Sequence, residues 1–180
     1  MIGLNMLIRR GALSLLVGAL AGAGCSDQGA APSATLSGID DAGLFLMQAE
    51  ASGWTWYGLT ADTLTGGSTT AHEPRVRVRY NAKAATRLTQ DGRVMTGGVF
   101  PDSSFIVKEL YTGSQLTTIA YMYKLRGAAN ASETGWVWAE SDGTGRVKIP
   151  ASRRGSGCIG CHASGIDFTR MNDTHPSARH

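Results

Sequence analysis

Residues 75–80 read RVRVRY, and this strict alternation decides the fold class. A period of two puts Val76, Val78 and Tyr80 on one face of a strand and Arg75, Arg77 and Arg79 on the other. Downstream, SFIVKELY (104–111), TTIAYMYKL (117–125) and GWVWAE (135–140) carry the β-branched and aromatic residues of strands. QDG, FPDSS, YTGS, RGAANAS and SDGTG punctuate this part of the chain with turn residues. The expectation is a mainly β (α+β) fold, an antiparallel sheet with a few short helices. No sustained apolar heptad argues for a helical bundle, and no internal repeat is present. NAKAATRL (81–88) reads as a short helix between strands. DDAGLFLMQAEA (40–51) reads as another, capped by its aspartates and carrying an apolar patch at Leu44, Phe45 and Met47. GWTWYGLT (53–60) and GGSTTAHEP (66–74) read as loop or irregular strand.

Residues 1–24 have the pattern of an export signal. Arg9 and Arg10 form a positive start, and GALSLLVGALAGAG (11–24) is uncharged, short and ends in small residues. Cys25 follows at once, as in a lipoprotein signal, where it would be lipidated and become the mature N-terminus. Gly22 departs from that pattern, which has Leu, Val or Ile there, so cleavage by an ordinary signal peptidase is the competing reading. Residues 25–36, rich in Gly, Ala, Ser and Pro, form a flexible tether, and 37–180 a single folded domain. The expected location is the periplasmic side, with membrane contact only through a lipid anchor. The net charge is +3, and about +1 without Arg9 and Arg10, with no basic-aromatic stripe for nucleic acid.

Three cysteines are present: Cys25, and the pair Cys158 and Cys161, which with His162 forms C-x-x-C-H. This is the attachment signature of c-type haem. Two thiols at this spacing reach one porphyrin edge as thioethers, and the adjacent histidine faces the iron as its proximal ligand. The implied cofactor is therefore haem c, covalently attached, with His162 on the metal. A zinc site needs further ligands, and His72, His175 and His180 stand in no zinc spacing. A thioredoxin-like pair needs a βαβ context, and a disulfide across two residues is strained. Met171, nine residues after His162, is too close to reach the opposite haem face. The distal side is then open, or filled from the β-rich part of the chain. An open side points to ligand binding or chemistry rather than to a simple electron carrier.

FPDSSFIVKEL (100–110), GWVWAE (135–140), CIGCH (158–162) and the closing DFTRMNDTHPSAR (167–179) together resemble the cytochrome P-460 family, which includes the β-sheet cytochromes c-prime. The resemblance spans most of residues 70–180 and implies a mostly antiparallel β fold, a homodimer and one c-type haem. It also implies either oxidation of a small nitrogen compound such as hydroxylamine, passing electrons to a redox partner, or binding of nitric oxide or carbon monoxide without catalysis. The lysine that some members tie to the porphyrin falls on Lys108. In a strand Lys108 shares its face with Ile106 and Leu110, and burial there would favour a neutral amine. The alternative is a lysine that snorkels past its neighbours to water. The distal-pocket arginine falls on Arg75, with Arg77 as rival, against the plainer reading of a solvated charged face. The acid of hydroxylamine-oxidising members falls on Ala120, and no Asp or Glu lies between Glu109 and Glu133, which leaves proton abstraction without an acceptor. Ser103 stands where the family has glycine. Tyr121, Met122, Tyr123, Trp136 and Trp138 are expected as core and haem wall.

Overall fold

The computed structural model describes residues 36–50, 53–65, 72 and 75–175. The chain divides into two units, Met1–Ser33 and Ala34–His180, and every described residue belongs to the second. The stretch read as an export signal, Cys25 and the expected tether as far as residue 35 lie outside the described residues, as does His180. Among the described residues no helix is long and apolar enough to cross a membrane.

The body is a seven-stranded antiparallel sheet: β1 (Thr55–Trp56), β2 (Leu64–Thr65), β3 (Arg75–Tyr80), β4 (Phe105–Thr112), β5 (Gln115–Lys124), β6 (Trp136–Ser141) and β7 (Val147–Ile149). The spatial order is β1-β3-β4-β5-β6-β7, and β2 shares the outer edge of β3 with β1. Among the described residues four short α-helices complete it: α1 (Asp41–Ala49), α2 (Ala82–Ala85), α3 (Ile159–His162) and α4 (Met171–Thr174). The expected mainly β architecture is therefore the observed one. The alternating stretch 75–80 is β3 to the residue.

Both faces of the sheet are covered. Val76, Val78 and Tyr80 of β3 join Ile106, Leu110, Trp136 and Trp138 in one core, closed by Phe100 and Met171. Phe105, Val107, Ile119, Tyr121 and Val137 face the other way and bury Leu44 of α1 completely. Burial on two sides explains why β4 reads as a nearly continuous apolar run. It also puts the rings of Tyr121 and Tyr123 with the α1-side core, where Tyr121 shares a 2.7 Å hydrogen bond with Ser141; Tyr121 still borders the cavity on the other face, and Tyr123 does not. The α1 helix starts as its sequence suggests, with Asp40 Oδ1 accepting from the Gly43 N–H at 2.8 Å. The Asn81 side chain caps α2 by accepting from Ala84 N and also accepts from Phe105 N, tying the helix to the start of β4.

The turn into β4 carries a misfit. Ser103 has φ 68°, a left-handed conformation that costs an L-residue about 1 kcal/mol, and its side chain is exposed. Its backbone N–H donates to Lys124 O at 2.8 Å, so the conformation is fixed by the sheet. Ser103→Gly is expected to stabilise the protein by about 0.5–1 kcal/mol after the entropic penalty of glycine, read as a rise of roughly 2–3 °C in Tm. An unchanged or lower Tm would contradict this.

Candidate functional site

The C-x-x-C-H segment is delivered to the sheet by a tight reversal. After β7 a 3-10 turn at Ala151–Arg153 ends in Arg154 (φ 51°) and Gly155 (φ 79°), both left-handed. A Cβ on Gly155 would lie 2.6 Å from Trp138 Cδ1, so only glycine lets the chain pass over that indole. The single-turn helix α3 follows, placing both thiols and the imidazole in the wall of one cavity. Cys158 and Cys161 are free thiols. Cys158 is half-buried against Ile159 and the sheet core, and burial pushes its thiol pKa up; Cys161 is exposed.

His162 is held on two sides. Its Nδ1 lies 2.7 Å from Phe168 O, and its ring stands edge-on to Trp138 with centroids 5.0 Å apart. A carbonyl only accepts, so Nδ1 carries the proton and Nε2 keeps the lone pair. Burial pushes the His162 pKa down, which favours this neutral form. A hydrogen bond from the far nitrogen to a backbone carbonyl is what orients a metal-ligating histidine.

The turn that presents Phe168 O is unusual. Asp167 (φ 43°) and Phe168 (φ 67°) are both left-handed without being glycine. Each such residue costs on the order of 1–3 kcal/mol and persists only where its surroundings hold it. Here Lys124 Nζ, almost fully buried, donates to Asp167 Oδ1 at 2.9 Å and to Thr134 O at 2.9 Å. Phe100 N donates to Asp167 Oδ2 at 2.8 Å, Trp136 Nε1 donates to Asp167 O at 3.0 Å, and the Lys124 ammonium lies 4.7 Å from the Trp136 ring centre. Asp167 thus anchors the turn whose carbonyl holds the histidine.

The cavity floor is a row across the sheet. Lys108 pairs with Val78 on one side and Ala120 on the other, and Ala120 pairs in turn with Glu140. Antiparallel register puts all four on one face, and all four line the cavity. Burial lowers the Lys108 pKa to about 8, against the opposing pull of Glu140 and with a further push from Arg170. Burial raises the Glu140 pKa, opposed by the charges of Lys148 and Lys108. The alanine between them leaves their chains free to extend over it.

Lys108, Cys158, Cys161 and His162 are therefore brought together, and Arg75 is not. The alternation that exposes Val78 to the cavity turns Arg75 and Arg77 to the opposite face. Arg75 donates to Gly113 O at 2.7 Å and Thr63 Oγ1 at 2.8 Å. Arg77 pairs with Glu109 and lies over the rings of Trp56 and Tyr111. The arginines are neither pocket residues nor a plain solvated face. Glu140 is what the sequence reading missed. It stands two residues after Trp138 and four after Trp136, so the alternation of GWVWAE already put it on the face of the two indoles. Two more imidazoles line the cavity, His72 and His175, and burial lowers both to a pKa of about 4. His175 is buried in the cavity wall, with its Nε2 without a hydrogen-bond partner among the described residues.

No protein-family model matches the chain, and no curated protein matches it. The site's chemistry therefore rests on its donors. Among the described residues no group of three or more His, Cys, Asp or Glu side chains stands ready to hold a bare metal ion. The set is instead two free thiols, an oriented imidazole, apolar walls from Val78, Ile106, Met122 and Trp138, and orphaned buried polar atoms at Tyr80 Oη and His175 Nε2. Those features suit a large, mostly apolar group with a metal at its centre.

Proposed function

We propose that this chain is an exported c-type cytochrome of the cytochrome P-460 kind, performing redox chemistry on a small nitrogen compound such as hydroxylamine or nitric oxide. The observation that carries the reading is the meeting of Cys158, Cys161, His162, Lys108 and Glu140 in one largely apolar cavity. When bound, the haem supplies an iron centre that binds the small molecule and exchanges electrons with it. The chain's own residues supply the rest. Cys158 and Cys161 would hold the group as thioethers, each thiol adding its sulfur to one vinyl carbon and its proton to the neighbouring one, with no net electron transfer. His162 would hold the metal through Nε2, with its plane fixed by the hydrogen bond from Nδ1 to Phe168 O. Glu140 accepts a proton from the substrate at its carboxylate, filling the part that Ala120 cannot.

Lys108, with a pKa near 8, is substantially neutral in mildly alkaline solution and able to act as a nucleophile. A bond from its nitrogen to a porphyrin carbon would replace a C–H and an N–H and release two electrons and two protons, so it would require an oxidant such as a peroxide. The alternative is binding of nitric oxide or carbon monoxide without turnover, which the apolar walls favour.

The ferrous absorption spectrum of protein made in a host that attaches c-type haem tests the reading, together with hydroxylamine turnover against an electron acceptor. A strongly red-shifted Soret band that disappears in Lys108→Ala supports the cross-link. Glu140→Gln is expected to lower turnover by about 10²- to 10⁴-fold, the usual worth of a positioned proton acceptor. A Soret band in the ordinary c-type position with no turnover hands the site to gas binding, and a protein without covalent haem overturns both.

A further inference from the structure

Four hydroxyl groups line the cavity, on Tyr80, Tyr121, Thr169 and Thr174. Three of them are committed. Thr169 donates to Ile166 O at 2.7 Å and Thr174 to Arg170 O at 2.9 Å. Ser141 Oγ donates to Asp142 O, so it accepts the proton of Tyr121 Oη. Tyr80 is the exception: its side chain is wholly buried, and its Oη has no hydrogen-bond partner among the described residues. Its titratable neighbour Tyr57 spends its own proton on Asn172 Oδ1, and the Tyr80 ring is stacked on Phe100. Burial pushes the Tyr80 pKa up, so the hydroxyl stays a donor. A donor shut away from water without an acceptor is costly and calls for a partner that the chain itself does not provide.

Register says where that partner lies. Tyr80 pairs with Ile106, Ile106 with Met122 and Met122 with Trp138, so the four side chains form one row across the sheet, and all four line the cavity. The row spans three strand spacings, about 14 Å. The C-x-x-C-H segment sits at the Trp138 end, where Gly155 crosses the indole and His162 stands edge-on to it. A haem tied by its vinyl groups at that end carries its two propionates on the opposite porphyrin edge. Resting on the haem reading, we propose that the Tyr80 hydroxyl donates a hydrogen bond to a haem propionate and so holds the edge that the thioethers leave free. The other polar side chains of the wall sort along the same axis. Glu140 is on β6 with Trp138, Arg170 Nη1 donates to Cys161 O at 3.0 Å, and the His72 ring centre is 6.2 Å from that of His162, so all three belong to the thioether end. Lys108 is on β4, one strand from Tyr80, and is the cation nearer the propionates. His175 Nδ1 lies 2.9 Å from Thr174 Oγ1, whose own proton is on Arg170 O; the neutral ring therefore keeps a lone pair on Nε2 and has nothing to donate to a carboxylate.

Intact mass first establishes whether haem is covalently attached; its absence would overturn the haem reading and this inference with it. With haem attached, the resonance Raman spectrum of the ferrous Tyr80→Phe protein is expected to show a propionate bending band moved to lower frequency than in wild type. The ferric form should gain about threefold at a fixed potential, because the carboxylate charge is no longer shared with a donor. Soret position and iron coordination should stay as in wild type. Tyr57→Phe, which removes a hydroxyl that already has its acceptor, should leave the band in place. An unmoved band in Tyr80→Phe, or an equal shift in Tyr57→Phe, would overturn the assignment while leaving the haem reading in place. Should Tyr80→Phe fail to fold, a crystal structure of the haem-bearing wild-type protein decides. A propionate oxygen within hydrogen-bond distance of Tyr80 Oη supports the assignment; a buried water there, or both propionates elsewhere, overturns it.

Discussion

Alanine at both Cys158 and Cys161, combined with Lys108→Ala so that no porphyrin cross-link can form, is expected to yield a polypeptide with the mass of the bare chain and no covalent haem. The expectation is all-or-none because these two thiols are the only cysteines between residues 37 and 180. Each single variant keeps one thiol in the cavity wall and should retain haem through one thioether. Their environments differ, so the single variants should differ too. Cys158 packs against the core beside Ile159, whereas Cys161 is exposed. Loss of Cys158 removes the anchor nearer the sheet and should loosen the group more, seen as easier extraction of iron by a chelator. Haem retained after acid extraction on the variant lacking both thiols and Lys108 would refute the proposed attachment.

Asp167→Asn is expected to destabilise the domain by about 3–5 kcal/mol, the cost of leaving a buried ammonium without its counter-charge. Side-chain exposure is 2% for Lys124 and 9% for Asp167, so water cannot compensate. A thermal melt should show a fall of roughly 10 °C in Tm. Lys124→Met alone strands the carboxylate in the same way, although Asp167 keeps the bond from Phe100 N. The double variant should be less destabilised than the sum of the two, because the lone charge is then gone. Asp167→Asn should also release the left-handed turn and, with it, the carbonyl that fixes His162. With haem attached, a change in the spectrum or reduction potential beyond that of an equally destabilised core variant would report that release. Additive losses in the double-mutant cycle would deny the pair its anchoring role.

The four long strands were legible because each spans enough residues for a period of two to declare itself. β1, β2 and β7 were not, since two or three residues carry no period and take their form from the edge they join. NAKAATRL yields only the one-turn helix Ala82–Ala85, because Asn81 starts the helix but nothing apolar extends it. Within the site, the thiols and His162 are contiguous and were readable as a motif. Glu140 and Asp167 act on partners 32 and 43 residues away, a relation only the register and the closing turn create. For the arginines, alternation announced two faces but could not say which face would meet the C-x-x-C-H segment. Trp54, Trp56 and Tyr111 gave no sign in the sequence that they would cover the guanidinium groups.

Lys108 and Glu109 are adjacent residues of opposite charge aimed at opposite faces. Glu109 answers Arg77 and receives the Tyr111 hydroxyl at 2.6 Å, while Lys108 enters the cavity. A slip of β4 by a single residue against its neighbours would exchange them, driving an ammonium among three guanidinium groups and moving the carboxylate away from all of them. Mispairing is thus penalised by electrostatic repulsion as well as by lost apolar packing. The two residues work as a key whose teeth fit one alignment of the strands, so the fidelity of assembly and the chemistry of the cavity are written in the same dipeptide.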